Sequence, residues 1–434
     1  MAMKRLQAII ILMHLGYSIA LSQRVVTIGE CYSGAYTVTP LNAEKGIYER
    51  MAQLKEGNAT KNWFPTVDIN GNFAYHSEVV DLDELMGILP LPQPPEGLAS
   101  IPHEQYRVTL DVTQTLYDGG AVRSARLLEQ ATGRVNQAQT EVDLYDLRSR
   151  INGYYFNLLL LSRQREVLNS HLEVVRKRIL SAESAVGSGV ALKSDVDALE
   201  AERIKLQQQL TENAIGMDAM RRILSGYTGI EFDASTSPAI PVVDWPPDEE
   251  ISRPELHLLD IRSEQLEASK LLLRSNRMPK AFGFASLGYG NPPGNNFFKT
   301  EAEPFYVVGA GVKWNIFDWN RARNERQVIS YQQDLLNVRK NDIIDNLRHL
   351  LDAKRAEIES LEALVKSDEE LLELRKRIRE TAEAKFENGV ITSTDYLNEL
   401  NAERQSLLSQ QIHMVNLGKG KVEYMNICGK HLSE

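Results

Sequence analysis

A switch between two kinds of periodicity occurs twice in this sequence, at Leu116–Arg123 and again 200 residues later at Ile316–Arg323. Before each switch, apolar and polar residues alternate, which is typical of a strand with one apolar face. After it, apolar residues recur every three or four positions, as in an amphipathic helix. A unit repeated at a fixed interval predicts two copies of one structural motif.

The alternating stretches predict two β-hairpins. The clearest strand runs from Tyr106 to Leu116, and its counterpart from Tyr306 to Ile316 has the same register and the same end point. Each follows another strand, one at Val67–Tyr75 and one near Ala281–Tyr289, where the alternation is weaker. Residues 77–104 contain five prolines and are predicted to form a loop. The chain therefore supplies four strands.

A long helix is predicted after each switch, at about 120–186 and at about 320–387. Apolar residues in both segments follow the 3,4 spacing of coiled coils. At 1.5 Å per residue, each helix would be roughly 100 Å long. The helices end at matched turns containing Gly189 and Gly389, because glycine terminates helices readily and a polar residue can cap the next one.

The helices that return from these turns, 192–226 and 393–417, are only about half as long as the helices with which they must pair. The missing halves are predicted at 253–276, beyond a proline-rich connection at 238–247, and at 41–62. Each long helix would thus be matched by two short helices placed end to end.

The N-terminus is predicted to be a secretory signal peptide. Lys4 and Arg5 precede an apolar run from Leu6 to Ala20, and small residues favour cleavage after Ser22. An N-terminal membrane anchor is the alternative. Neither cysteine follows the apolar run directly, which argues against a lipoprotein. No other stretch approaches the ~20 apolar residues of a membrane helix, so the mature protein is expected to be exported without a helical anchor.

Composition and motifs argue against several functional classes. The formal net charge is −10, and no basic cluster is interleaved with aromatic residues, which disfavours nucleic-acid binding. The eight histidines are scattered without helical i, i+3 or i, i+4 pairing, so neither a metal site nor a cofactor is expected. No nucleophile motif is present, and an enzyme is not expected.

Two cysteines, Cys31 and Cys428, lie near opposite ends of the mature chain. In the layout above, both chain ends meet at the joins between the short helices, so the two thiols could be neighbours. A disulfide is then possible in an oxidising compartment. Two separate thiols are the alternative.

The predicted strands have the length and the single apolar face of membrane-spanning strands. Four strands are too few to close a barrel, and open strand edges are not tolerated in lipid. Several chains would therefore have to share one barrel, with the polar strand faces lining a wet lumen.

With these features the chain resembles the TolC-type outer-membrane efflux proteins. The resemblance rests on the duplicated layout, the Leu116–Gly120 hinge and the two Gly-Val turns. It also rests on Arg253-Pro254-Glu255-Leu256, which is similar to an Arg-Pro-Asp/Glu-Leu helix start in that family. The resemblance implies an α+β membrane protein: a homotrimer whose 12-stranded β-barrel, with four strands per chain, continues into a long α-helical coiled-coil barrel. It further implies the exit duct of a tripartite efflux pump or type I secretion system, embedded in outer-membrane lipid, with a periplasmic adaptor and an inner-membrane transporter as partners.

The resemblance divides the chain into eight segments. They are the signal peptide 1–22, an N-terminal equatorial segment 23–62, a first transmembrane hairpin 63–118 with the extracellular loop 77–104, a first periplasmic helical hairpin 119–237, an equatorial connection 238–276, a second transmembrane hairpin 277–318, a second helical hairpin 319–417 and a C-terminal equatorial tail 418–434.

Three groups of site residues follow from the resemblance. The adaptor-docking tips are Gly189, Val190, Ala191 and Leu192, with Gly389, Val390, Ile391 and Thr392 in the second copy. The periplasmic aperture comprises Asp195, Asp395 and Asn398, where many members have a further aspartate in place of Asn398. The barrel–helix junctions are Asp118, Gly119 and Gly120, with Asp318, Trp319 and Asn320.

Two alternatives remain at this stage. The aspartates could simply occupy first helical turns, where the helix dipole favours acidic residues. The whole chain could be a secreted coiled-coil interaction protein without channel activity.

Overall fold

The computed structural model describes residues 24–80, 101–243, 245, 250–296, 299 and 301–430. The predicted signal peptide and most of the predicted loop 77–104 lie outside the described residues. The helices are α1 (Ile28–Val38), α2 (Leu41–Lys61), α3 (Ala121–Gly187), α4 (Lys193–Thr228), α5 (Pro254–Ser275), α6 (Arg321–Glu387) and α7 (Ser393–Cys428). The strands are β1 (Arg24–Val26), β2 (Thr66–Tyr75), β3 (Glu104–Tyr117), β4 (Thr236–Pro238), β5 (Lys280–Asn291) and β6 (Glu303–Lys313).

None of the helices in the described ranges combines the length and apolarity needed to cross a bilayer.

The long and return helices come in matched pairs. Helices α3 and α6 have 67 residues each, and α4 and α7 have 36 each. In each pair the second helix begins and ends 200 residues after the first.

The end expected for the last helix, residue 417, is wrong, because α7 continues to Cys428. The sequence pattern favoured an end at 417 because Gly418 and Gly420 follow, and glycine is unfavourable in the interior of a helix. Both glycines are buried, and added Cβ atoms would lie 3.2 Å from Ile240 and Ile358, respectively. Close packing against these side chains therefore explains the two glycines within a continuous helix.

Four strands form an antiparallel sheet in the order β2-β3-β5-β6. Asp111 of β3 pairs with Asp68 of β2 and with Ser286 of β5, so these three residues share one face. Their neighbours Leu110 and Leu287 pair on the opposite face. The predicted division into a polar and an apolar face therefore holds for β2 and β3. In the second hairpin it is incomplete, because Phe284 and Val307 lie on the same face as Asp111.

The predicted common end point of the two equivalent strands is wrong, because β3 ends at Tyr117 but β6 ends at Lys313. Strand β3 is central and pairs with β5 as far as Tyr117. Strand β6 lies at an edge, and its partner β5 begins at Lys280, opposite Lys313. Strand β6 ends where this pairing ends.

Glycines of the second hairpin lie under phenylalanine rings of the neighbouring strand. Phe284 covers Gly309, where an added Cβ would lie 2.5 Å from the ring, and Phe305 covers Gly288 at 2.3 Å. Covering strand glycines with aromatic rings stabilises pairing. This arrangement explains why the alternation was weak in the β5 sequence.

The chain divides into two compact units, which are described separately. The first comprises residues up to 45, 138–257 and from 340 onward, and the second comprises 46–137 and 258–339.

In the first unit, the N-terminal helix α1 meets the C-terminal end of α7. Asn426 donates a hydrogen bond of 3.0 Å to the Tyr32 hydroxyl. Arg148 donates to the Tyr36 hydroxyl at 2.6 Å and lies over the rings of Tyr32, Tyr36 and Tyr145. The predicted meeting of the chain ends is thus present as an aromatic and arginine cluster.

Cys31 and Cys428 are both buried and are not joined by a disulfide. Cys31 packs in a cluster with Ile28 and Tyr155, whereas Cys428 packs with Leu351 and Ile358. Burial raises the pKa of the Cys31 thiol to about 12, so this thiol is protonated at neutral pH. The alternative of two separate thiols is the one found.

In the second unit, α2 packs along the first part of α3. Arg126 forms an ion pair with Glu56, and a Cβ added at Gly133 would lie 2.7 Å from the Cβ of Ala52. Gln265 of α5 donates to the Thr132 hydroxyl at 2.8 Å. Two short helices, α2 and α5, therefore contact this part of the long helix.

Candidate functional site

The first strand–helix junction is organised by a buried aspartate. Asp118 accepts backbone hydrogen bonds from Gly120 at 2.8 Å and from Val122 at 2.6 Å. These amides belong to the unpaired donors at the start of a helix, so Asp118 acts as an N-terminal cap. Gly119 and Gly120 both have positive φ, 66° and 87°.

The second junction has the same backbone path with different side chains. Asp318 accepts from the Ala322 amide at 3.0 Å and lies 3.7 Å from the guanidinium of Arg277. Trp319 and Asn320 take the positive φ values 54° and 63° that glycines provide in the first copy. A bulky residue in this region is an uncommon and strained conformation.

Local crowding differs between the two junctions. A Cβ at Gly119 would lie 2.3 Å from the Cβ of Met278, whereas one at Gly120 would meet nothing within 4 Å. Trp319 is 83% exposed, and its ring contacts Phe317 edge-on with centroids 4.8 Å apart. Glycine is therefore sterically required at position 119 but not at 319.

The first helical tip turns at Gly189, which has a φ of 74°. The Val190 amide donates to the Ala185 carbonyl at 2.9 Å, which closes the end of α3. The cap position of α4 is Leu192, which has no side-chain oxygen. Asp195 nevertheless accepts from the Leu192 amide at 3.1 Å.

The second tip turns in the same way at Gly389, with a φ of 69°. Here the cap is complete, because the Thr392 hydroxyl accepts from the Asp395 amide at 3.2 Å while Asp395 accepts from the Thr392 amide at 3.2 Å. Such a reciprocal pair is a capping box. The helix-start role considered for Asp395 is therefore present.

The two tips touch each other within the first unit. The Ser393 amide donates to Asp195 at 3.3 Å. Hydrogen bonds from Ser393 lower the pKa of Asp195, and the Thr392 hydroxyl lowers the pKa of Asp395. Both carboxylates are thus held in the charged form at neutral pH.

The structure separates the three expected aperture residues into two settings. Asp395 and Asn398 are exposed and line one groove with Arg377, whereas Asp195 is partly covered by its contact with Ser393. At the tips themselves, Val190, Leu192 and Val390 are exposed, and Gly189, Gly389 and Thr392 are exposed beside them. Ala191 is half-buried, and Ile391 packs against the core near Ala382.

The sequence reasoning missed the cluster formed by Tyr32, Arg148 and Asn426, as well as helix α1 itself. Helix α1 begins with a Thr27–Glu30 capping box, and this Thr-x-x-Glu pattern was a readable signal. No local signal reveals the Arg148 contacts, because their partners are distant in sequence.

The comparisons with known proteins agree with this geometry. The family model described as "Outer membrane efflux protein" matches residues 47–216. No curated protein sequence matches the chain.

Several solved structures share the fold over nearly the whole chain. A crystal structure of CusC, described as forming a transmembrane channel, has a TM-score of 0.67 at 11% identity, covering 93% of this chain and 92% of its own. The outer membrane protein VceC of Vibrio cholerae has a TM-score of 0.61 at 15% identity, covering 94% and 97%. The open state of the Neisseria gonorrhoeae MtrE outer membrane channel has a TM-score of 0.65 at 14% identity, covering 93% and 89%.

The family model thus matches 170 of the 434 residues, and the solved channels share the fold, so the chain is similar to the outer membrane efflux proteins in part of its sequence and in its fold.

Proposed function

We propose that three copies of this chain form the exit duct of a tripartite efflux pump or a type I secretion system. The duct would conduct substrates passively across the periplasm and the outer membrane. The observation that carries this proposal is the sheet β2-β3-β5-β6, which exposes one apolar face, while Asp68, Asn70 and Asp111 lie on the other face.

The apolar face of this sheet is unusual for a protein in water. Ile69 is 77% exposed, and Val308 and Val312 are exposed to a similar degree. Contiguous apolar surface of this kind marks contact with lipid or a partner. The strands have 10–14 residues, long enough to cross the hydrocarbon core of an outer membrane.

The edges of the sheet explain why several copies are needed. Within the described part of the chain, β2 pairs only with β3, and β6 pairs only with β5. Unpaired backbone groups in lipid each cost several kcal/mol. Joining β2 of one chain to β6 of the next in a ring of three would give 12 strands and remove every edge. The polar face, with Asp68, Asn70 and Asp111, would then line the lumen.

The helical tips are proposed to bind a periplasmic adaptor, which would connect the duct to an inner-membrane transporter. Val190, Leu192 and Val390 support this role because they expose apolar side chains beside a rigid turn. Such residues provide contact area at low conformational cost.

Asp395 is proposed to line the periplasmic aperture, next to Asn398. A threefold ring of charged carboxylates would favour cations and disfavour anions. With Asn398 in place of a second acid, only one such ring forms at these two positions. Asp195 would contribute less, since its carboxylate is occupied by Ser393.

Conductance in planar lipid bilayers tests the duct and the aperture together. We expect stable channels from the purified trimer, and reduced cation preference in Asp395→Asn. Asp218→Asn, an exposed carboxylate on α4, is the control and should behave as the wild type. A protein that never conducts would instead support the secreted coiled-coil alternative, and unchanged ion preference in Asp395→Asn would remove Asp395 from the aperture.

Export by living cells tests the tips. Val390→Asp should abolish adaptor-dependent export while heat-resistant trimers persist, because a charge would be placed in an apolar contact. Ile215→Asp is the matched control, since Ile215 is nearly as exposed but lies about six helical turns from the tip. Normal export by Val390→Asp would exclude that part of the tip from docking.

A further inference from the structure

A cavity with a mixed polar and apolar wall lies in the first unit, between α3, α6 and α7. Its volume is about 310 Å³, and three elements contribute to its wall. The lining residues are Val167, Ser170, His171, Val174, Lys177, Arg178, Arg379, Glu383, Leu400, Glu403, Arg404 and Leu407.

Two buried side chains of this wall have an atom without a hydrogen-bond partner among the described residues. They are Nε2 of His171 and Nε of Arg404. His171 is 7% exposed, and the side chain of Arg404 is 10% exposed. Buried polar atoms in folded proteins are nearly always hydrogen-bonded, so two orphans lining one cavity point to a missing ligand.

The chemistry of these two atoms limits what the ligand can be. Arginine Nε carries a hydrogen and cannot accept, so its partner must be an acceptor. Burial and the neighbouring Arg404 lower the pKa of His171 to about 4, against the opposing effect of a hydrogen bond with Asn401, so its ring is neutral at pH 7. In one tautomer of this neutral ring, Nε2 can donate. A group offering acceptors to both donors would satisfy the site.

Arg404 is the least compensated of the arginines that line the cavity. Arg178 pairs with Glu387 as well as Glu383, so acidic partners balance most of the positive charge of the wall. Arg379 is paired with Glu403 at 2.9 Å, and both Arg178 and Arg379 contact Glu383. Among the described residues, Arg404 has one acidic partner, Glu202, at 3.5 Å from its terminal nitrogen, which also donates to Gln209 at 3.3 Å. Lys177 is exposed at the rim.

We propose that this cavity binds a small oxyanion, held by Arg404 and His171. Oxygen acceptors match guanidinium donors in both charge and geometry. Because Arg404 lies on α7 and His171 on α3, the bound anion joins the two helical hairpins. Anion binding therefore stabilises their packing against each other.

The test compares thermal unfolding of the purified protein in sulfate and in chloride at equal ionic strength. Sulfate should raise the unfolding midpoint of the wild type by roughly 2–4 °C more than it raises that of Arg404→Met. A ligand that binds only the folded state increases the stability of that state. Sulfate also stabilises proteins generally, and Arg222→Met, an exposed arginine on α4, reports that general effect. It should respond as the wild type does.

His171→Phe provides a second variant, in case Arg404→Met does not fold, and should lose the same sulfate-specific gain. Crystals grown with selenate should show an anomalous peak within hydrogen-bond distance of Arg404 Nε. Equal sulfate responses in the wild type and the cavity variants, or ordered water alone in the cavity, would overturn the proposal.

Discussion

The two strand–helix junctions have the same backbone conformation but achieve it with different residues. Gly119 and Gly120 in the first copy, and Trp319 and Asn320 in the second, all have φ between 54° and 87°. Glycine adopts this region freely, whereas other residues lose roughly 1–2 kcal/mol each. The strand-to-helix geometry therefore requires the same bend in both copies. The first copy forms it with two glycines, and the second forms it with Trp319 and Asn320.

Crowding explains the difference between the copies. At Gly119 the Met278 side chain and the Ser275 carbonyl leave no room for a Cβ. Trp319 is 83% exposed, and its ring contacts Phe317. A side chain is thus tolerated where space allows, even when the backbone conformation disfavours it.

The largest expected effect comes from filling the crowded position. Gly119→Ala should destabilise the protein by about 3–4 kcal/mol, because it combines a severe clash with a disfavoured φ. Gly120→Ala, which has the same backbone problem but free space, should cost only about 1 kcal/mol. Thermal loss of helix, followed by circular dichroism, measures both. Equal effects would show that crowding does not distinguish the positions.

A smaller difference is expected for the capping aspartates. Asp118→Ala should cost about 2 kcal/mol and Asp318→Ala about 1 kcal/mol. Asp118 is buried and accepts two amides, whereas Asp318 is half-buried and accepts one from Ala322. The same thermal measurement applies. A larger loss for Asp318→Ala would reverse this ranking of the junctions.

Capping substitutions at the two helical tips should change stability less than substitutions at the junctions. Thr392→Ala should cost about 1 kcal/mol, since it removes a helix cap. Leu192→Thr should stabilise by a smaller amount, because it introduces the hydroxyl that the first tip lacks. Unfolding midpoints of the two variants relative to wild type provide the measurement, and a destabilising Leu192→Thr would contradict the expected equivalence of the tips.

The pH dependence of the second tip gives an additional check. The Thr392 hydroxyl lowers the pKa of Asp395 in the folded state below its value in the unfolded state. The resulting stabilisation is complete above the unfolded-state pKa and disappears as pH falls through the folded-state pKa. The stability difference between wild type and Asp395→Asn should therefore be present at neutral pH and vanish in acid.

Features that depend on local pattern could be predicted from the sequence. The starts of α3 and α6 and the glycine turns at 189 and 389 were visible because periodicity changes there. The end of α7 could not be predicted, because Gly418 and Gly420 look like helix breakers until Ile240 and Ile358 are seen against them.

The candidate sites likewise include some residues that local pattern predicts and others that depend on packing between distant segments. The tip residues were found by their spacing, but the contact between Asp195 and Ser393 depends on the packing of two hairpins. The cavity around His171 and Arg404 was also invisible, because more than 230 residues separate them in the sequence. Sequence patterns revealed the turns but not which side chains meet across them.

Native mass spectrometry of the detergent-extracted protein tests the central proposal most directly. The sheet exposes an apolar face, and its edge strands β2 and β6 each have one paired side in the described structure. Such a sheet should be stable in a membrane only when several copies close into a ring. The expected result is a species containing three copies of the chain, without a stable monomer. A folded monomer or dimer as the only species would contradict the shared 12-stranded barrel.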